Sequence, residues 1–240
     1  MPGRRAVREL LAARSRRVKS VWVAAGRDAD PLLDEIVALA EAAGVSVRTV
    51  DAERVREEAR TEAPQGVVAI AAPVEAVRFD ELCAAPDAFI VALDGVTDPR
   101  NLGAVLRIAE TAGATGAVVP RHRGALLTPA AVKAAAGAVE HVPIALVAGV
   151  PAALEDARRA QVWSVGLDAE GDTTVDALTV ADAPLVLVLG AEGRGLSRLA
   201  RDRCDVLARI PMHGRLESLN VSAAAAVACF EIARRRDHVS

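Results

Sequence analysis

The chain has 240 residues, of which 52% are hydrophobic and 25% are charged. This composition is typical of a globular protein with one large domain or two unequal ones, and it excludes a disordered chain. The apolar runs are too short and too interrupted to span a bilayer, and no apolar segment follows the basic residues near the N-terminus. We therefore expect a soluble, cytoplasmic protein with no membrane partner and no secretory signal.

The cysteines and histidines show no metal-binding pattern. The three cysteines are widely separated and form no CxxC pair, and the four histidines are equally scattered. This spacing argues against a disulfide framework and against a structural zinc site. We expect small buried cysteines and no metal.

Basic residues concentrate near the N-terminus, although the formal net charge of the chain is −3. Residues 4–19 contain seven arginines and lysines and one acid, Glu9. Such a cluster is suited to neutralising RNA phosphates, but the solvated face of a helix has the same composition, and charge alone does not separate the two. With no tyrosine and only five other aromatic residues, two Trp and three Phe, binding by base stacking is disfavoured. The RNA-binding candidates are Arg4, Arg5, Arg16 and Arg17.

The first part of the chain indicates a small α/β unit. Its first clear helix opens at Asp30-Pro31 and ends at Gly44. Strands are predicted at 20–25, 45–50 and 66–71, and helices at 30–43 and 51–60. The segment 73–86 has no convincing periodicity and a proline at each end, which is typical of a domain boundary. The resulting division is a first domain at 1–74, a linker at 75–87 and a second domain at 88–240.

The rest of the chain alternates apolar strands with helices. Strands are predicted at 89–94, 117–120, 142–147, 162–165, 185–189 and 206–210. One helix is expected at 99–112, and the last at 219–236. This alternation predicts an α/β fold with a mostly parallel sheet that is covered by helices on both faces.

The first candidate site lies where the first strand of the second domain leads into a helix. Asp98 or Asn101 can cap this helix. Arg107 falls roughly opposite the apolar stripe of the helix, and Gly103 one turn earlier leaves a patch that a phosphate or another backbone can approach. A surface pair between Arg107 and Glu110 explains the same spacing, and the motif by itself favours that simpler interpretation.

The second candidate is the glycine-rich turn 189–195, which follows an apolar strand. Three glycines in six residues allow the backbone to turn tightly and to approach a ligand at the carboxyl edge of a parallel sheet. The spacing matches neither the dinucleotide-binding fingerprint nor a P-loop. Glu192 stands out, because a carboxylate in such a turn needs a hydrogen-bond donor nearby.

The third candidate is the turn 210–220, again between a strand and a helix. Ser218 is predicted to cap the last helix, which explains this residue structurally. Asn220 then falls in the first turn, where backbone N–H groups without helical partners can hold a carboxylate or another polar ligand group.

In their order along the chain and in their residues, these three turns resemble the three motifs of the SpoU (TrmH) branch of the SPOUT methyltransferases. The matching residues are Asp98-Pro99-Arg100-Asn101-Leu102-Gly103 with Arg107, then Gly190-Ala191-Glu192-Gly193, then Ile210-Pro211-Met212 with Ser218-Leu219-Asn220-Val221-Ser222. The resemblance runs from Phe89 to the C-terminus. Residues 3–7 and 64–69 also resemble the two ends of the ribosomal-protein-like RNA-binding domain of family members that methylate a guanosine ribose in large-subunit rRNA. Pro64 is a departure, since His is frequent there.

The resemblance implies an S-adenosylmethionine-dependent RNA ribose 2′-O-methyltransferase that needs no metal. It also implies a C-terminal trefoil knot, against the general rule that chains do not thread, and a homodimer whose active sites form at the subunit interface. The residues implied to contact the cofactor are Leu189, Gly190, Ile210, Met212 and Leu219. The implied catalytic and substrate-positioning residues are Asn101, Arg107, Glu192, Ser218 and Asn220.

The fate of the ribose proton stays open between two mechanisms. The resemblance gives Arg107 the role of general base, assisted by an RNA phosphate. Because a guanidinium keeps its proton well above neutral pH, stabilisation of the developing alkoxide by Arg107 fits the same residues, with a phosphate or Glu192 as proton acceptor.

Other functions also stay open. Within the same chemistry, the substrate can be tRNA or the rRNA site at which methylation gives antibiotic resistance, although the basic N-terminal domain favours 23S rRNA. A non-catalytic RNA-binding or ribosome-assembly protein on the same fold is disfavoured by the presence of Arg107, Glu192 and Asn220. An unrelated nucleotide-binding enzyme is disfavoured because neither nucleotide fingerprint occurs.

Overall fold

The computed structural model describes residues 1–26, 30–61, 64–121, 124, 127–215 and 218–237, and its two sheets divide them into two units. The first unit has a three-stranded sheet whose central strand runs parallel to one neighbour and antiparallel to the other. In spatial order the strands are β2 (Ser46–Val50), β1 (Val18–Ala24) and β3 (Val67–Ala71). Its helices are α1 (Arg4–Ala13), α2 (Pro31–Ala42) and α3 (Ala52–Ala59).

Local chemistry sets the ends of α2. Asp30 accepts hydrogen bonds from the N–H groups of Leu32 and Leu33 at 3.0 and 3.1 Å, and Pro31 takes the first helical position. Gly44 follows the helix with a φ of 67°, a left-handed conformation that suits glycine. The two predicted helices and the three predicted strands of this unit are confirmed, with small differences at their ends.

The second unit has a seven-stranded sheet in which every pairing of the described strands is parallel. Its strands are β4 (Phe89–Asp94), β5 (Gly116–Pro120), β6 (Ile144–Val147), β7 (Trp163–Leu167), β8 (Thr173–Thr174), β9 (Leu185–Gly190) and β10 (Val206–Arg209). Their spatial order is β6-β5-β4-β9-β7-β10-β8. Its helices are α4 (Phe79–Cys83), α5 (Pro99–Thr111), α6 (Pro129–Ala134), α7 (Val150–Arg159), α8 (Arg198–Arg203) and α9 (Val221–Asp237). The predicted α/β fold with a mostly parallel sheet is confirmed.

Helices cover both faces of this sheet. Helices α5, α6 and α9 pack on the face that includes Phe89 and Leu93, and α7 and α8 pack on the face that includes Ile90 and Ala92. All residues of β4 are therefore buried, which explains why the strands are continuous apolar runs in the sequence. Among the described residues, no helix has the length and apolar character needed to cross a membrane.

Part of the predicted linker is ordered against the second unit. Helix α4 lies within it, and the Val77 N–H donates to the Ile144 carbonyl at 3.0 Å. Leu82 and Cys83 are buried. The sequence shows no periodicity at α4, because one helical turn is too short to produce it and is stabilised by its contacts with the sheet.

A buried ion pair joins the two units. Arg16 Nη2 lies 2.7 Å from the Glu140 carboxylate, which also accepts hydrogen bonds from Arg16 Nε at 3.0 Å and from Ser15 Oγ at 2.6 Å. The Glu140 side chain is only 1% exposed. Nearby, Glu9 packs over Gly137, where an added Cβ would lie 2.4 Å from the Glu9 Cβ. We call these contacts the seam.

Glu140→Ala is expected to lower the free energy of unfolding by about 3 kcal/mol, because it leaves the buried Arg16 guanidinium without its anion. Urea titration followed by circular dichroism measures the change. The matched control is Asp202→Ala, which removes the carboxylate of an exposed pair with Arg198 and should change stability by less than about 0.5 kcal/mol. Equal effects of the two substitutions would contradict the structural role of the seam.

Candidate active site

Loops meet at the carboxyl edge of the large sheet, beyond strands β7, β9 and β10. They enclose a cavity of about 510 Å³, which is within the usual range for small-molecule sites. All the residues predicted to contact a cofactor line it: Leu189, Gly190, Ile210, Met212 and Leu219. Glu192 and Ser218 of the predicted catalytic set line it as well.

The glycine turn is held by its own backbone. The Ala191 N–H donates to the Gly195 carbonyl at 3.0 Å, and the Gly195 N–H donates back at 2.9 Å. Gly193 has a φ of 73° at the tip of the turn. Gly190 lies against the returning chain, since an added Cβ would be 2.1 Å from the carbonyl carbon of Gly195. Only glycine at position 190 permits this approach.

Asp94 anchors the far end of the same turn, a role that our sequence analysis missed. Its carboxylate accepts a hydrogen bond from the Ser197 N–H at 2.7 Å, and the residue is only 8% exposed. Asp94 is the last residue of β4 and lies opposite Gly190 in the β4–β9 pairing. An acid at the end of an otherwise apolar strand is the signal that identifies such a residue.

Asn220 contacts two other residues of the predicted catalytic set. Its Nδ2 donates to the Glu192 carboxylate and, at 3.4 Å, to Asn101 Oδ1. Its Oδ1 accepts from the Ser222 N–H at 2.9 Å, so Asn220 caps α9. The donor that Glu192 was expected to need is therefore Asn220. The prediction that Ser218 caps the helix is wrong, because α9 begins only at Val221.

Asp98 caps α5, which leaves the Asn101 side chain for this contact. The Asp98 carboxylate accepts from the Arg100 N–H at 2.8 Å and lies 3.3 Å from the Arg100 guanidinium. These two interactions hold the pKa of Asp98 below its usual range. The first of the two predicted caps is thus the one that forms.

Arg107 is not brought into this group. It follows Asn101 by six residues on α5, which places it about 9 Å further along the axis and on a different face of the helix. It lines a separate cavity between the two units, together with Arg5 and Lys133. In the part of the chain that the structure describes, Arg107 forms no ion pair with Glu110, so the simpler interpretation of this residue is not realised.

The arginines predicted to bind RNA differ in their contacts. Arg4 pairs with Asp30, whereas Arg5 and Arg17 are exposed. Arg16 is bound to Glu140 at the seam and is only 12% exposed. This corrects the expectation for Arg16, whose guanidinium stabilises the contact between the units and is not presented to a phosphate.

Three charged residues on the cavity wall lie outside the three predicted motifs. Arg201 on α8 lies 3.3 Å from the carboxylate of Asp168 and 2.9 Å from that of Glu170. The sequence signal for this group was Asp168, an acidic residue directly after an apolar strand. It was missed because the predicted strand ended at 165, short of the observed end of β7 at Leu167.

The cysteines take no part in this site. All three are free, and burial raises the pKa of Cys83 to about 11 and the pKa values of Cys204 and Cys229 to about 12. Thiols with such pKa values are protonated at neutral pH and are poor nucleophiles. No group of three His, Cys, Asp or Glu side chains in the described residues is arranged to hold a metal ion.

The fold and the cavity together define a class of protein. A parallel α/β sheet with a cavity at its carboxyl edge, bounded by a glycine turn and the start of a helix, is typical of an enzyme that binds a small organic cofactor. Comparisons identify the family. Residues 88–230 match the SpoU rRNA Methylase family, and residues 2–77 match the family described as RNA 2′-O ribose methyltransferase substrate binding. The chain belongs to the SpoU rRNA methylase family.

Individual relatives agree over both units. The chain is 41% identical over 239 residues to the 23S rRNA (guanosine-2′-O-)-methyltransferase RlmB of Pseudomonas aeruginosa, which covers 98% of this chain and 95% of that protein. It is 40% identical to RlmB of Ralstonia nicotianae, over 94% of this chain and 91% of that protein. The SpoU methyltransferase AviRb of Streptomyces viridochromogenes in complex with AdoMet superposes with a TM-score of 0.82 at 26% identity, covering 99% of this chain and 90% of that chain. The resemblance inferred from three motifs is confirmed.

Gly190→Ala is expected to destabilise the protein by about 2 kcal/mol, because the new methyl group overlaps the backbone of the returning turn. Urea titration measures the loss. Gly214→Ala is the matched control, since no described atom lies within 4 Å of an added Cβ there and its φ is outside the left-handed region, and its effect should stay below about 0.5 kcal/mol. A Gly190→Ala protein as stable as the control would show that this close approach is not required.

Proposed function

We propose that the protein transfers a methyl group from S-adenosylmethionine to a ribose 2′-hydroxyl of RNA, and that the acceptor is a guanosine of 23S rRNA. One observation carries this proposal. The residues that the family motifs assign to the cofactor line a single cavity, with the Glu192–Asn220–Asn101 contact beside it. The similarity to RlmB proteins over nearly the whole chain supports the acceptor.

The residues of the cavity fit such a cofactor. Apolar surface for a purine and a thioether is offered by Leu189, Ile210, Met212 and Leu219. Because Gly190 has no side chain and lies against the returning turn, main-chain atoms form part of the cavity wall there. Bound S-adenosylmethionine supplies an electrophilic methyl group. The task left to the chain is to hold that group in line with the acceptor oxygen and to exclude water.

The acceptor hydroxyl must lose its proton as the new bond forms. We assign Arg107 to stabilise the developing negative charge on the oxygen, because a guanidinium is a cation that presents a rigid fork of donors. Glu192, oriented by Asn220, or an RNA phosphate accepts the proton. Ser218 and Asn101 position the groups around the acceptor.

Two chains complete each active site. Arg107 lies outside the cofactor cavity of its own chain, whereas α9 carries apolar side chains in contact with solvent. Val227 is 44% exposed and Phe230 is 50% exposed, on a helix that packs directly against α5. A homodimer formed on this face of α9 buries them and brings Arg107 of one protomer to the cavity of its partner.

The family relationship extends the proposal to the architecture. Residues 1–74 form a ribosomal-protein-like RNA-binding domain, 75–87 the linker, and 88–240 a catalytic domain with a trefoil knot that acts on rRNA in the cytoplasm. The strand order supports the knot, because β9 lies between β4 and β7, two strands that precede it in the chain. Threading through an existing loop is compatible with this order.

Methyl transfer to RNA is the direct test. Wild-type protein with tritiated S-adenosylmethionine is expected to label 23S rRNA transcribed in vitro, at one ribose that reverse transcription at low dNTP concentration maps to a guanosine. A tRNA transcript is the control substrate. Labelling of tRNA alone would overturn the assignment of 23S rRNA as the acceptor. No labelling of either RNA would favour a non-catalytic RNA-binding protein.

Arg107→Lys is expected to lower kcat about a hundredfold, because lysine keeps the charge but loses the fork that stabilises the oxygen. The cofactor Kd, measured by calorimetry, should not change, since the role proposed for Arg107 is toward the acceptor oxygen and the residues assigned to the cofactor are untouched. Near-wild-type turnover would count against both roles considered for this residue.

The two-chain site is tested by mixing inactive variants. In a heterodimer of Arg107→Ala and Glu192→Gln chains, one of the two composite sites contains both native residues, so coexpressed, doubly tagged heterodimer should recover up to half of wild-type activity. Each homodimeric variant is the control. Heterodimer as inactive as the two homodimers would show that Arg107 acts within its own chain.

A further inference from the structure

A cleft between the two units carries an uncompensated positive charge. Its volume is about 410 Å³, and its wall is built by the first turn of α1, by α6 and by Arg107 of α5. Among the described residues that line it, four are cationic and none is acidic: Arg4, Arg5, Arg107 and Lys133. The adjoining cavity, which shares Arg5 and Arg107 with the cleft, is different, because Glu9 and Glu110 also line it, although neither acid forms an ion pair with the two shared arginines.

Three of these cations are available to a ligand. Arg4 is neutralised by Asp30, but Arg5, Arg107 and Lys133 have no ion pair with any residue that the structure describes. The helix start adds to the charge, since the first turn of α1 faces the cleft and directs the positive end of its dipole there. Closely spaced cations without partners repel one another, so an anion bound between them is stabilising.

The backbone that carries the three cations is held by close packing. Helix α6, which carries Lys133, contacts α5 at Gly103, where an added Cβ would lie 2.3 Å from the Ala131 carbonyl oxygen. The first unit is held to the same surface by the seam, and Lys133 Cγ passes 3.5 Å from the Cβ position of Gly3. The backbone of the site is therefore in place before any ligand binds, which reduces the ordering entropy of binding.

We propose that this cleft binds a phosphodiester of the RNA next to the target ribose, and that Lys133 and Arg5 are positioning residues for methyl transfer. The proposal rests on the function proposed above and adds a place on the chain where the RNA backbone is held. A phosphate is the anion that matches a point-charge ammonium and a guanidinium fork in one cleft. Because Arg107 lines the same cleft, the bound phosphate sets the distance between Arg107 and the neighbouring ribose oxygen.

The test compares single charge removals by their effect on RNA binding. Lys133→Gln and Arg5→Gln are each expected to raise the Kd for in vitro transcribed 23S rRNA about fivefold. Each should also reduce the magnitude of the slope of log K against log salt concentration by about one, which corresponds to the loss of one phosphate contact. Arg159→Gln is the matched control, because it removes a positive charge from α7 on the opposite face of the sheet. Lys133→Arg should restore binding, and the cofactor Kd should be wild-type in all variants.

Each outcome bears on one of the two proposals. An equal loss of RNA affinity in Arg159→Gln, or a failure of Lys133→Arg to keep wild-type affinity, would overturn the proposed role of the cleft, since the effect would then come from net charge or from packing. Wild-type binding and salt slope in Lys133→Gln and Arg5→Gln would overturn it too, with the methyltransferase function intact. Cleft-dependent RNA binding by a wild-type protein that labels no RNA would support the cleft and overturn the function.

Discussion

The approach of the Gly190 backbone to residues 195–196 is the contact on which the cofactor cavity depends. Without a side chain at this position, the chain that leaves β9 folds back on itself and reaches Asp94 through the Ser197 N–H. Asp94 and Gly190 are paired across the two central strands, so the interior of the sheet holds both ends of the turn. The wall of the cavity is thus set by backbone contacts, and Glu192 remains available for the hydrogen bond with Asn220.

Helical geometry explains why the predicted catalytic residues separate into two groups. Asn101 contacts Asn220 at the start of α9, whereas Arg107 on the same helix faces the first unit. A spacing of six residues cannot place both side chains on one face. The motif nevertheless contains both residues, and an enzyme that uses both needs either a second chain or a substrate that extends from one site to the other. The exposed apolar side chains of α9 favour the second chain.

Much of the fold was predictable because burial on both faces leaves a strong signal, as in β4, whose bounds match the prediction. Other features depend on contacts between distant residues. Arg5 and Arg16 are the same residue type in one basic segment, and only the fold shows that Arg16 meets Glu140, 124 residues away. Ser218 and Asn220 are both residue types that cap helices well, so residue type does not decide between them. In the structure Asn220 is the cap, and it is also the residue that contacts Glu192 and Asn101. Helix α4 was too short to show periodicity.

Under the proposed function, the seam links RNA recognition to the placement of Arg107. A flexible tether between an RNA-binding unit and a catalytic unit raises only the local concentration of substrate, and the orientation is left to chance. Here Glu9 over Gly137 and Arg16 with Glu140 hold the first unit against the surface that carries Lys133 and Arg107. RNA bound by the first unit therefore arrives in one orientation. Because in-line transfer depends steeply on alignment, the proposed function requires these contacts, which lie away from the reacting atoms, to contribute to catalysis as well as to stability.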